Sequence, residues 1–221
     1  MDTDSAPRTW AKPVLVTLAM LAPSAVPSST GPAADAAGWL LAGTAQSLSQ
    51  FALLLVIIGA SGALREYGVS RPAPSDAFKA GFLLIAITLA SRLSALAIGL
   101  AGLGGEAARA FIPSPAGARP AEAVALAALF SVAVALREEL FYRLYVIGSL
   151  RERGTGGIPA ILVSTLLFAA GHAYQGPQGI ASSLLMGAAM ALATVKGYGL
   201  FPLAAAHATY NFLVLLAAFG M

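Results

Sequence analysis

In the run ALREELFYRLY, residues 135–145, four charged side chains follow an almost uninterrupted apolar stretch from Ala121 to Leu136. Charge is expensive inside hydrocarbon, so Arg137, Glu138, Glu139 and Arg143 on a membrane-length segment mark a functional site. The chain's two histidines, His172 and His207, also stand in apolar stretches. On a helix Glu139 and Arg143 are four apart, share a face and form an ion pair that ties Glu139 up. Glu138 is turned about 100° away, toward Tyr142 and Tyr145, and is the carboxylate with freedom to take a proton. Phe168 and His172 are four apart, as are His207 and Asn211, and each pair makes a stripe directed at a bundle interior. The chemistry to expect is proton transfer at a buried carboxylate with imidazoles beside it.

Three separate segments must bring these groups together. Counting about 1.5 Å per residue, Glu138 lies roughly 18 Å from one end of its helix, His172 about 21 Å and His207 about 12 Å. Groups from three helices therefore converge at comparable depth, which is what a site needs. Taken singly, each has a plainer explanation: a histidine or Asn211 bonding a neighbouring helix, Phe168 packing. Arg92, another ionisable residue in an apolar run, has no role that the sequence identifies beyond snorkelling or pairing with a buried carboxylate.

The elements that hold them are membrane helices. Of 221 residues, 58% are hydrophobic and only 10% charged, whereas a soluble domain carries about 25% charge. Runs long enough to cross about 30 Å of hydrocarbon are expected at 37–64, 77–103, 121–150, 157–174, 178–196 and 199–220. The piece PVLVTLAMLAPSAV, broken by Pro23, reads as an extra Pro-kinked span or, with Arg8 and Lys12 before it, as a signal-like segment. The fold expected is all-α: a polytopic transmembrane bundle of six to seven spans. Its divisions are an N-terminal segment at 1–36, accessory helices and a Pro/Gly-rich loop at 37–120, and a core at 121–220. Arg65, Arg71, Lys79, Arg151, Arg153 and Lys196 gather on one side, against Arg109 and Arg119 on the other. The positive-inside rule makes the first side cytoplasmic, in a multi-pass protein of the cell membrane.

Composition also excludes functions. The absence of cysteine rules out disulfides, thiolate catalysis and Cys-ligated zinc. A net charge of +3, scattered singly in loops, argues against nucleic acid as a partner. Presenilin-like chemistry needs two intramembrane aspartates, and Asp2, Asp4, Asp35 and Asp76 all fall in loops, termini or span edges.

EELFYR (138–143), FAAGH (168–172) and HATYN (207–211) together resemble the CPBP family: CAAX prenyl proteases, bacteriocin-processing enzymes and lysostaphin-resistance-like proteins of the Abi type. That family's pattern is Glu-Glu-x-x-x-Arg, Phe-x-x-x-His and His-x-x-x-Asn on successive helices. Order and spacing fit without gaps across about 121–215. The resemblance implies a bundle enclosing a polar intramembrane cavity, and an intramembrane endopeptidase acting on peptides or membrane proteins that enter from the bilayer. It makes Glu138 and His172 the pair that activates water, and His207 and Asn211 the oxyanion-stabilising pair. Glu139, Arg143 and Phe168 support the site. A metal-free glutamate mechanism is favoured, because each histidine comes from a different helix and Asn211 is a poor zinc ligand. The alternative cofactor is Zn²⁺ on Glu138, His172 and His207.

Other readings stay open at this level. GASG (59–62) mimics a rhomboid serine-protease motif, with Ser61 as nucleophile. A non-catalytic membrane scaffold or bacteriocin-immunity factor would use the same bundle. A transporter is disfavoured by the lack of paired broken helices and inverted repeats. Substrate identity, prenylation and oligomeric state are not written in the sequence.

Overall fold

The computed structural model describes residues 9–25, 36–103 and 120–221. Eight α-helices follow in chain order: α1 (Ala11–Ala25), α2 (Ala36–Gly59), α3 (Ser75–Leu100), α4 (Pro120–Glu138), α5 (Ile147–Arg151), α6 (Gly157–Gly171), α7 (Gly176–Val195) and α8 (Leu200–Phe219). No strand occurs among the described residues. A π-helical segment, Glu139–Val146, joins α4 to α5 without a break, so residues 120–151 form one continuous rod. The polar loop expected at 104–120, but for Pro120, and residues 1–8 and 26–35 of the N-terminal segment lie outside the described residues.

Helix packs on helix throughout: α4 lies against α2 and α8, α7 against α3 and α6, and α8 against α3. The centre of this arrangement is the π segment, all eight of whose residues are buried. Leu140, Phe141, Tyr142 and Leu144 join Leu54, Ile58, Leu83, Ile87, Phe168, Met190 and Leu203 in the main apolar core. The opposite faces of the helices expose large apolar side chains, among them Phe78, Phe82, Ile85, Leu89 and Leu96 on α3. A helix apolar on its outer face as well as its inner one belongs in lipid.

Four helices are long and apolar enough to cross a membrane: α2, α3, the run Ala173–Val195 and α8. The expected count of six to seven spans is not reached by this measure. Helices α1 and α6 have 15 residues each, about 22 Å at 1.5 Å per residue. The rod 120–151 has the length but carries the charged cluster. Several expected boundaries also shift inward. Instead of running to residue 64, α2 stops at Gly59 and turns through Gly62, whose φ is 71°. Instead of reaching 174, α6 ends at Gly171 and passes into a single 3-10 turn, Ala173–Gln175.

The loops carrying Arg65, Arg71, Arg153 and Lys196 share one end of the bundle. There the Leu200 N–H donates to the Gly68 carbonyl, 3.1 Å away, tying the α2–α3 loop to the start of α8.

Candidate active site

Glu138 closes α4 and Glu139 opens the π segment, where hydrogen bonding widens from i→i+4 to i→i+5. The wider turn re-aims every side chain after Glu138. Tyr145 does not continue on the Glu138 face; it stacks on Tyr67 of the α2–α3 loop, with ring centroids 5.9 Å apart. Ser164 of α6 holds the segment in place by donating its hydroxyl to the Tyr142 carbonyl at 2.8 Å.

Each glutamate has its own arginine. Arg137 pairs directly with Glu138 Oε1 and also donates to Gln50 Oε1 of α2 at 3.2 Å. The freedom expected of Glu138 is therefore confined to Oε2, which points at His207 Nε2 across 3.8 Å. Arg143, fully buried, approaches Glu139 Oε2 to 3.5 Å. Its guanidinium lies over the Phe168 ring, 4.1 Å from the centroid, a desolvated cation–π contact.

His207 sits between the two carboxylates. Its Nδ1 is 2.7 Å from Glu139 Oε1. A carboxylate is the acceptor here, so Nδ1 carries the proton and Nε2 is the ring edge presented to Glu138. Carboxylate partners fix an imidazole's orientation in this way in metal and catalytic sites. Glu139 thus does more than pair with Arg143, and the sequence offered no spacing rule to find this: the two residues are 68 apart.

His172 forms the C-terminal cap of α6. Its Nδ1 is 2.8 Å from the Phe168 carbonyl; a carbonyl only accepts, so Nδ1–H donates and Nε2 holds the free lone pair. His172 and His207 flank the same Phe168 ring, which brings His172 into the cluster that Glu138 joins through His207. Phe168 occupies the centre of the cluster. Its ring contacts Tyr142 edge-on at 5.3 Å, His172 at 4.4 Å and His207 at 6.0 Å. Gly187 of α7 makes room for that ring, since a Cβ there would lie 3.1 Å from it.

Asn211, one turn beyond His207 on α8, is half-buried and makes no assigned hydrogen bond among the described residues. Ser61, the rival nucleophile, donates its hydroxyl to the Ile58 carbonyl at the end of α2, while both histidines direct their Nδ1 elsewhere. Arg92 is exposed on the outer face of α3. Gln50 is a contributor that the sequence did not single out, and Arg137, counted in the charged cluster, gains its role only from its pairing with Glu138.

Among the described residues no three His, Asp or Glu side chains lie together in a metal-holding arrangement. Glu138 Oε1 and Glu139 are taken up by arginines, and His207 Nδ1 by Glu139. Glu138 Oε2 and the Nε2 atoms of His172 and His207 are not taken up in this way.

A helical membrane protein with an interior cluster of two glutamates, two histidines and two arginines, of which Arg137 and His172 are half-buried, is the class that fold and site define. Residues 120–213 match the family model described as type II CAAX prenyl endopeptidase Rce1-like. The match covers less than half of the chain and is consistent with the CPBP resemblance of the three motifs that lie within it. No curated protein and no solved structure matches the chain.

Proposed function

We propose that the chain is a metal-free intramembrane endopeptidase, hydrolysing peptide bonds of membrane-associated peptides or proteins, with residues 121–220 as its catalytic core. The observation that carries this reading is His207 held between Glu139 and Glu138, with Glu138 Oε2 and the His172 Nε2 lone pair both left available.

In the mechanism, a water bound between Glu138 and His172 gives a proton to Glu138 Oε2 as its oxygen attacks the peptide carbonyl. Negative charge then develops on the former carbonyl oxygen. In its imidazolium form His207 donates Nε2–H to that oxygen, and the Asn211 carboxamide supplies a second donor. Fixed donors in a low-dielectric site need no reorganisation as the charge forms. When the tetrahedral intermediate collapses, the C–N bond breaks and Glu138 returns its proton to the leaving amine. Glu139, steadied by Arg143, accepts from His207 Nδ1–H and so fixes the ring orientation and favours the imidazolium.

We read the rod 120–151 and α6 as bilayer-crossing despite their charges and length, because their polar groups face the interior. The end bearing Arg65, Arg71, Lys79, Arg151, Arg153 and Lys196 is read as cytoplasmic.

The test is quantitative peptidomics of membranes carrying wild type or Glu138→Ala. Peptides whose release stops in the variant are the substrates; identical peptidomes would instead favour a scaffold or immunity role. Activity of the purified chain is expected to survive rigorous chelation. Loss on chelation that zinc restores would replace the water-activating carboxylate by a metal.

A further inference from the structure

Seven residues beyond Glu138 on the same rod, at the end of the bundle where the basic loops gather, Tyr145 walls a cavity of about 340 Å³. This is at the small end of the roughly 300–1,000 Å³ typical of ligand pockets. The start of α1, the end of α2, the following loop and the rod all border it, and none of its lining residues belongs to the catalytic cluster. Its aromatic wall is the stacked pair Tyr67 and Tyr145. The Tyr67 hydroxyl pairs with Ser149 Oγ at 3.3 Å, and burial pushes this phenol up to about 12, so it stays an O–H group.

Four charged residues line the opening: Lys12, Glu66, Glu152 and Arg153. Two of them are spent on the protein. Arg153 donates to the Thr9 carbonyl at 3.0 and 3.2 Å and to the Ser149 carbonyl at 2.7 Å, and Glu152 stands 3.7 Å from it. Lys12 and Glu66 are exposed, and neither has an assigned hydrogen bond or ion pair among the described residues. One unspent cation and one unspent anion therefore face the same space, with Pro13, Ile57 and Ile58 as apolar lining beside them.

We propose that this cavity binds the headgroup of a zwitterionic phospholipid, with its phosphate at Lys12 and its primary ammonium at Glu66. The surroundings favour a lipid over a soluble ligand. Membrane helices form the walls, and exposed Trp10, stacked on Arg153 at this end, stands as aromatic side chains do at headgroup level. A free phosphate or an anionic headgroup would satisfy Lys12 and leave Glu66 without a counter-charge. A quaternary ammonium has no N–H to donate to the carboxylate, so ethanolamine is preferred to choline.

The site is independent of catalysis, and so is its test. The full chain is reconstituted in vesicles of phosphatidylethanolamine, phosphatidylcholine or phosphatidylglycerol, extracted, and its retained lipid counted by native mass spectrometry. Wild type should retain the ethanolamine lipid about two- to fivefold over the glycerol lipid, the upper part of the range that one exposed charge pair gives. Glu66→Gln should abolish that preference, and Lys12→Gln should lower retention of all three lipids. Equal retention by wild type, displacement of lipid by inorganic phosphate, or an ethanolamine preference untouched by Glu66→Gln would each overturn the proposal. Both variants change exposed side chains, and the wild-type lipid comparison decides even without them.

Discussion

Glu139 holds a demanding position, because one carboxylate serves a buried guanidinium and an imidazole at once. Removing either partner leaves charge stranded in a low-dielectric interior. Arg143→Met is therefore expected to cost about 3–5 kcal/mol, the usual penalty for breaking a buried pair. The double variant Arg143→Met with Glu139→Gln should recover most of that stability and none of the activity. Thermal unfolding in detergent and a peptide-cleavage assay separate the two effects. Glu138→Gln, by contrast, keeps size and polarity but cannot accept the proton. It should lose about 10²–10⁴ in rate, the range for a general base, while melting close to wild type.

Among the elements, the π segment decides the geometry. A strict α-helix through 138–146 would put Tyr145 on the Glu138 face; the wider turn sends it to Tyr67 and brings Glu139 onto His207. Nothing in the residue pattern announces this, because periodicity arguments assume 3.6 residues per turn throughout. The pairing of Arg137 with Glu138 was hidden for a related reason: adjacent residues on a helix do not face one another, and here the long arginine side chain bends back. The all-helical class and the cluster of ionisable groups were legible, since charges and histidines stand out against apolar runs. Long-range partners such as Gln50 were not, because only packing brings α2 beside α4. Packing also yields an element-scale test. Gly187→Val on α7 would drive a branched side chain into the Phe168 ring, already 3.1 Å from a Cβ at that position. Activity should fall at least tenfold as His172 loses its support, with stability reduced by about 1–3 kcal/mol for overpacking; the same cleavage and melting measurements check both.

At the scale of the whole molecule, helices of unequal length stand side by side. With 15 residues, α6 is about 22 Å long, against about 30 Å of hydrocarbon. Lipid adjoining a short helix thins to meet it. His172 lies where α6 ends, so the headgroup region dips toward the residue that must receive water. The bilayer then acts as a supply line, and its acyl chains set the distance water must travel. Reconstituted in lipids of increasing chain length, the protein should slow progressively while its fold stays intact.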